Sequence, residues 1–446
     1  MSDTTFDVIV IGSGPGGYVA AVRSAQLGLK TAVIERDDVV GGRCLNYACI
    51  PAKAVLRSAD ILSEVREADE FGITVGGEVT VDFAAIGERR KKVITTLTGG
   101  VSGLFKKNGV ELISGEAALT PDGDVKVGDT VYTAAKGVVL ATGSVRKPLP
   151  GLDYGGNVIG TEEAWALSEL PKTLAVIGAG ASGTEIASAY QRLGTQVTLY
   201  EGLDRVLPTE DSDISKAAAR GFKKQGIEVK TNTFFDAADT GSYDYVVIAA
   251  GRGPDVAALG LDAAGIELTD TGLIKVDGAL KTSKAKVYAI GDLVPGPALA
   301  HKASDEGVIA VEDAAGLETH PIPYLDIPRA TFCTPNVASF GLTEEQAREQ
   351  GYDVVVGKVQ YGAVGAGTVY GDRTGVIKVV GDKKYGEMLG GHIVGTKATE
   401  LIQELVNAKV LEGGFPEVAR IVHGHPTLSE GVMEAARAAD GWLIHG

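Results

Sequence analysis

Sulfur, positive charge and long apolar runs are what this 446-residue chain has least of. Its three cysteines are Cys44, Cys49 and Cys333, so a thiolate-rich zinc site could draw on at most three sulfurs. Acidic residues outnumber basic ones by 58 to 42, for a formal net charge of −16. No basic cluster is dense enough to neutralise phosphates, which excludes nucleic acid as a partner and leaves a solvated acidic surface. No apolar stretch reaches the length of a membrane span. Residues 1–7 are polar and lead into a short apolar run and a glycine loop, unlike an export signal. A cytoplasmic protein is therefore expected, in a reducing compartment where a dithiol is more often catalytic than structural. The length suggests about three domains.

What the chain does have begins with a strand-type run, Phe6 to Ile11, broken only by Asp7 and followed by Gly12-Ser13-Gly14-Pro15-Gly16-Gly17. A helical segment follows, 18–28, and then a second strand that ends at Glu35. This is a complete βαβ dinucleotide fingerprint: Gly12 for the tight turn, Gly14 for backbone approach to a pyrophosphate, Gly17 for helix–strand packing, Glu35 for a ribose hydroxyl pair. The unit recurs. Strand 173–177 feeds Gly178-Ala179-Gly180-Ala181-Ser182-Gly183, a helix runs to Gly194, and the next strand ends at Glu201. Two fingerprints imply two nucleotides. Glu201 favours NAD over NADP, because a carboxylate accepts from a 2′-hydroxyl and repels a 2′-phosphate; Arg205 is the one nearby cation and reads as a solvated surface residue.

Between the fingerprints lies Gly41-Gly42-Arg43-Cys44-Leu45-Asn46-Tyr47-Ala48-Cys49-Ile50-Pro51-Ala52-Lys53. In a regular helix two residues five apart lie roughly 8–9 Å from each other, too far for a comfortable disulfide. A bridge needs the helix entrance bent or loosened, for which Gly41, Gly42 and Pro51 supply the means. A redox-active pair, two unrelated thiols and half of a zinc site all fit the spacing. Residues 55–107 show helical patterning, followed by a short β-rich segment that closes at Ala141-Thr142-Gly143-Ser144. A matching strand ends at Ala250-Gly251, and another at Ile290-Gly291-Asp292, followed by Ala298-Leu299-Ala300-His301. Asp292 reads either as a group that holds a sugar-like hydroxyl chain or as a turn aspartate.

From about residue 328 the pattern becomes a separate α+β domain without a fingerprint, closed by two helices. Thr343 to Gln346 reads as a capping box. So does Thr427 to Glu430, which would leave His423 and His425 on an exposed loop. The other reading of that stretch is a His425 imidazole oriented by Glu430 and serving as acid/base for a thiol.

In their order and spacing, the first fingerprint, the dithiol stretch, Ala141-Thr142-Gly143, the second fingerprint, the Gly291-Asp292 strand end with Leu299-Ala300-His301-Lys302, and His425-Pro426-Thr427-Leu428-Ser429-Glu430 together resemble the flavoprotein disulfide reductases. The resemblance covers nearly the whole chain. It implies an α/β fold with two Rossmann-like dinucleotide-binding domains plus a C-terminal α+β dimerisation domain. The implied boundaries are 1–149 and 277–326 for FAD, 150–276 for NAD and 327–446 for the interface. FAD would be held by Gly12, Gly14, Gly17, Glu35 and Lys53, by Gly115 and Ala117 at the adenine, by Thr142, Gly143 and Ser144, by Asp292 at the ribityl chain, and by Ala298, Leu299, Ala300 and His301 near the isoalloxazine. NAD would lie on Gly178, Gly180, Gly183, Glu201 and Gly251.

Under the same resemblance Cys44 is the thiol that exchanges with substrate and Cys49 the one against the flavin. Lys53 and Glu185 pair beside flavin N5, and His425 with Glu430 is the base, contributed by the partner subunit of a homodimer. The implied reaction is reoxidation of dihydrolipoamide carried on lipoyl domains of 2-oxoacid dehydrogenase or glycine-cleavage complexes, with NAD as acceptor and no metal.

Departures from the family pattern are Arg43, Tyr47, Ala48 and Ala52 in the dithiol stretch, Ser182 in the second fingerprint, Gly253 after Arg252, and a shortened 231–243 connection that lacks the usual small β-meander. They bear on NAD affinity and redox tuning. Two rivals remain: a related disulfide reductase with another substrate, and a scaffold subunit without turnover. A glutathione reductase would carry an arginine pair in place of Glu201, and a mercuric or large thioredoxin reductase a C-terminal redox pair, whereas this chain ends Trp442-Leu443-Ile444-His445-Gly446.

Overall fold

The computed structural model describes residues 4–446. The chain divides into two compact units, one formed by residues up to Ala54 with 87–147 and 251–324, the other by 55–86, 148–250 and 325–446. The division falls inside the Cys49–Arg66 helix. In this division residues 251–276 fall in the first unit and 55–86 in the second.

The first unit is built on a seven-stranded sheet. Its parallel part runs Glu111–Ser114, Thr31–Glu35, Thr5–Ile11, Thr130–Leu140 and Val287–Ala289. The apolar run at the start of the chain is continuous because both faces of its strand are covered: Val8 and Val10 enter one core, Ile9 and Ile11 the other. Asp7 sits at an irregularity in the pairing and accepts the Lys30 N–H at 2.9 Å, so the one polar residue of the run costs no buried charge. The first half of Thr130–Leu140 turns into an antiparallel meander with Val125–Val127 and Ala117–Leu119. A two-stranded ribbon joins Ser144–Arg146 to Arg252–Pro254, which draws the 251–276 segment into this unit.

The second unit holds a parallel five-stranded sheet in the order Glu228–Lys230, Gln196–Tyr200, Thr173–Ile177, Tyr245–Ile248, Val158–Gly160. It also holds an antiparallel five-stranded sheet from Arg329–Thr331 to Met388–Val394. Among the described residues the 231–243 connection carries one short turn, Ala237–Ser242, and no strand, in keeping with the shortened loop. The Thr343 box closes in both directions, with Thr343 Oγ1 accepting from the Gln346 N–H and Gln346 Oε1 accepting from the Thr343 N–H.

The helical 55–107 segment is two helices, Cys49–Arg66 and Phe83–Asn108, separated by a mostly exposed stretch around Gly76 and Gly77. One expectation, the two closing helices, is corrected. The chain closes on three helices, Ala398–Val410, Phe415–Arg420 and Ser429–Ala439, since Gly414 and Pro416 cut a short helix free of its neighbour.

Candidate active site

In the first unit the Thr5–Ile11 strand turns at Gly12, whose φ of +100° is left-handed territory, and a Cβ there would meet the Ala141 carbonyl oxygen at 2.6 Å. The Pro15–Gln26 helix begins at Gly14, which supplies no side-chain cap, so the first-turn N–H groups face outward. A Cβ on Gly14 would meet nothing within 4 Å, whereas one on Gly17 would lie 1.9 Å from the Gly12 oxygen. An uncapped helix N-terminus behind an open glycine fits a dinucleotide pyrophosphate. Glu35 is buried at the end of its strand, accepting from Ser13 N–H at 2.9 Å, Ser13 Oγ at 2.5 Å and Asp37 N–H at 3.0 Å. Ser13 is a junction that fingerprint spacing does not reveal, because that position admits any residue. Its hydroxyl and its carbonyl both accept the Gly41 N–H, at 3.0 and 3.1 Å.

The other expected flavin contacts surround this turn within the same unit. Gly115 donates its N–H to the Glu35 carbonyl, and Ala117 is buried at the start of the meander. Thr142 Oγ1 donates to the Asp255 carbonyl at 2.6 Å, the Asp255 N–H to the Gly143 carbonyl at 2.9 Å, and Ser144 Oγ to Asp292 at 2.5 Å. The Asp292 turn is braced from beneath. Glu306 accepts the Gly291 N–H at 2.7 Å and Lys302 Nζ donates to the Gly291 carbonyl at 2.8 Å, with both charged side chains fully buried and 3.1 Å apart. Ala298 and Leu299 lead into the Ala300–Ala315 helix, with His301 exposed in its first turn. Gly16 and Gly307 let that helix approach the fingerprint helix, since a Cβ on Gly307 would lie 2.6 Å from the Gly16 oxygen.

Cys44 and Cys49 stand on separate helices, Gly42–Asn46 and Cys49–Arg66, interrupted at Tyr47 with φ −131°. Gly41 and Gly42 both have positive φ, as the loosened entrance requires. A Cβ on Gly42 would lie 2.6 Å from the Gly14 Cα, so the dithiol loop lies directly against the fingerprint loop. Both sulfurs are half-buried thiols in hydrogen-bond contact; that bond and burial push the Cys44 thiol strongly up, against the pull of Lys53 and Arg43. Among the described residues no group of three or more metal-ligating side chains is found.

In the second unit the turn at Gly178 repeats that of Gly12, with φ +99°, and a Cβ on Gly183 would lie 1.8 Å from the Gly178 oxygen. The Ala181–Leu193 helix starts uncapped at Gly180. Glu201 accepts from the Ala179 N–H at 2.7 Å and the Leu203 N–H at 3.0 Å, and Gly251, of the first unit, has φ +90°. Arg205 turns to Glu345 at 3.7 Å. Ser182 is exposed. Phe234, which sequence reasoning missed, is 87% exposed, its ring resting against Gly202 beside Glu201. Glu185 is buried in this unit and accepts the Phe332 N–H at 2.9 Å. Cys333 is wholly buried behind it, its thiol pushed up by burial and by the Glu185 charge, as befits a core sulfur.

His425 exposes 76% of its side chain and turns Nδ1 to Glu430 Oε1 at 2.9 Å, while Glu430 Oε2 accepts the Thr427 N–H at 2.9 Å. Each reading is met in part: the His423 side chain is buried and not on an exposed loop, whereas one Glu430 carboxylate accepts at the helix start and holds the His425 imidazole. Burial works against its charge, but the Thr427 N–H and His425 hold Glu430 below the ordinary carboxylate range. Thr427 Oγ1 departs from the expected box and donates to the Gly424 carbonyl at 2.7 Å.

Residues 6–307 match the family described as pyridine nucleotide-disulphide oxidoreductase, and 327–436 match its dimerisation domain. A dihydrolipoyl dehydrogenase of Rhizobium etli is 40% identical, covering 99% of both chains; one of Bacillus subtilis is 41% identical over 98% of this chain and 97% of its own. Among solved structures, LpdA from Mycobacterium tuberculosis superposes with a TM-score of 0.87 at 26% identity, covering 98% of this chain and 99% of its own. The Cu(II) complex of the HOCl-induced flavoprotein disulfide reductase RclA from Escherichia coli superposes with a TM-score of 0.86 at 26% identity, over 97% and 99%.

Proposed function

The chain belongs to the pyridine nucleotide-disulphide oxidoreductase family, and we propose that within it the protein is a dihydrolipoyl dehydrogenase, FAD- and NAD-dependent, which reoxidises dihydrolipoamide through Cys44 and Cys49. The observation that carries this is the dithiol loop lying on the first dinucleotide turn, with a second turn of the same design elsewhere in the chain. Full-length identity of about 40% to dihydrolipoyl dehydrogenases supports the substrate, and the dimerisation-domain match supports a homodimer.

The chain's own groups do the following. In the oxidised enzyme Cys44 and Cys49 form a disulfide. His425 Nε2, from the partner subunit with Nδ1 held by Glu430, takes the proton of one substrate thiol. The substrate thiolate attacks the Cys44 sulfur, a mixed disulfide forms and Cys49 leaves as a thiolate. The second substrate thiol displaces Cys44 and its proton passes to the departing Cys44 sulfur, so substrate leaves as the disulfide and the enzyme holds two electrons as a Cys44 thiol and a Cys49 thiolate beside the protonated His425. Bound flavin supplies the relay of that pair to NAD. Lys53 and Glu185 are assigned to the flavin N5 side, the 12–17 turn to FAD and the 178–183 turn with Glu201 to NAD. Lipoyl domains of 2-oxoacid dehydrogenase or glycine-cleavage complexes are the substrates this reading implies. Among the described residues no helix is long and apolar enough to cross a membrane; the scarcity of cysteine supports a reducing, cytoplasmic setting.

Titration of the purified holoprotein with dihydrolipoamide, then NADH, tests this. A long-wavelength charge-transfer absorbance on two-electron reduction, with parallel reduction of NAD, is expected. Flavin without that absorbance, or absorbance without NAD turnover, overturns it.

A further inference from the structure

Two residues before His425 stands a second imidazole that the reaction does not use. His423 exposes only 5% of its side chain, and both ring nitrogens face acceptors: Nδ1 the Ile421 carbonyl at 2.8 Å, and Nε2 the Glu404 carboxylate on the Ala398–Val410 helix. A neutral imidazole has one N–H and can satisfy one of these; two need the imidazolium. A proton placed on Glu404 instead would leave the stronger base by about two units, the imidazole, without it. The other charged groups near the ring are Arg437 and Glu430, both on the Ser429–Ala439 helix. Arg437 is neutralised by the buried Glu434 at 2.7 Å. The Glu404 hydrogen bond, above all, raises the His423 pKa from its ordinary value, with burial and Arg437 opposing.

We propose that His423 is a positioning residue: a charged clamp to Glu404 that fixes the 421–425 loop and thereby aims His425. The proposal rests on the base role assigned to His425. A group whose pKa is raised on folding contributes its stability fully below its unfolded value and loses it as pH rises through the folded one. The clamp therefore holds on the acid side of its folded pKa and releases as pH rises through it, adding an ionisation to the rate profile that belongs to no reacting group.

The test is the pH profile of dihydrolipoamide–NAD turnover in the holoenzyme and two Glu404 variants, together with ¹⁵N NMR of the histidines. A glutamine amide can donate to a neutral imidazole where a carboxylate cannot. Glu404→Gln should therefore keep the loop in place while His423 is neutral, moving the alkaline limb up by about one pH unit or more. Glu404→Ala loses the clamp at every pH and should lower kcat about tenfold, with reduction by NADH unchanged. NMR should show His423 keeping both ring protons to a higher pH in the wild type than in Glu404→Gln. A wild-type His423 that loses its second ring proton at no higher pH than in Glu404→Gln, or an alkaline limb that Glu404→Gln leaves in place, overturns the clamp. If Glu404→Ala does not fold, the glutamine variant and the wild-type spectrum still decide. If the enzyme shows no dihydrolipoamide turnover, the functional reading fails by itself and NMR still reports on the imidazole.

Discussion

The chain builds one βαβ device twice and fastens different things to it. At both turns the first glycine has φ near +100°, the third lies within a Cβ's reach of the first one's carbonyl, and the acid at the strand end accepts the N–H that follows the first glycine. The residue there is Ser13 in one and Ala179 in the other. Ser13 adds a hydroxyl that binds Glu35 and Gly41 at once, tying the nucleotide turn to the dithiol loop. Ala179 adds nothing, and the second turn has beside its acid an exposed phenylalanine in a shortened loop. The first arrangement suits a resident group whose distance to the dithiol has to stay fixed. The second suits a cosubstrate that enters and leaves at each turnover.

The largest way to break this comparison is to remove the chemistry that only the first turn carries. Cys44→Ser should lower dihydrolipoamide–NAD turnover by ~10³-fold or more while flavin absorbance per chain and NADH binding stay as in the wild type. A variant keeping a tenth of its activity would detach the dithiol from the first site.

A Cβ at the third glycine should separate the two sites by readout. Gly17→Ala overpacks the first turn and Gly183→Ala the second, each by about 1–3 kcal/mol. The first variant should come out depleted of flavin, and the second should keep flavin and show a raised KM for NAD. Flavin loss from Gly183→Ala would invert the assignment.

Ser13→Ala makes the first turn resemble the second. Loss of hydrogen bonds to a buried carboxylate and to Gly41 should cost about 1–2 kcal/mol, read as faster flavin release and a shifted dithiol potential. The reverse exchange, Ala179→Ser, should stay within about 0.5 kcal/mol, since no loop corresponding to 41–42 waits beside it.

The smallest effect is expected at Phe234. An exposed ring beside Glu201 is placed to stack on an adenine, so Phe234→Ala should raise KM for NAD about 2–10-fold with kcat unchanged. An unchanged KM would mean the ring only covers Gly202.

Much of the site was legible before folding, for a particular reason. Gly12, Gly17, Gly178 and Gly183 are required by backbone geometry within a few residues of chain, and the Gly41-Gly42 pair announces the broken helix that lets Cys44 and Cys49 meet. The pairing of the 252–254 strand with 144–146 could not be read ahead, since it is a contact across more than a hundred residues that no local pattern encodes. The third C-terminal helix was missed because six residues are too few for a helical period to show. At Thr427 the sequence offered a capping box or an oriented base; the Glu430 carboxylate accepts the Thr427 N–H and meets His425, but Thr427 Oγ1 turns to Gly424 and leaves the box open.

By itself, then, the sequence determined the two nucleotide turns and the dithiol, because glycine conformation and thiol chemistry are local properties. Tertiary structure decided that Ser13 joins one turn to the dithiol loop, that Lys302 and Glu306 brace the Asp292 turn, that Phe234 lies beside Glu201 and that His423 meets Glu404. Each of those is a partner brought from a distant segment of chain, and only packing selects which segment arrives.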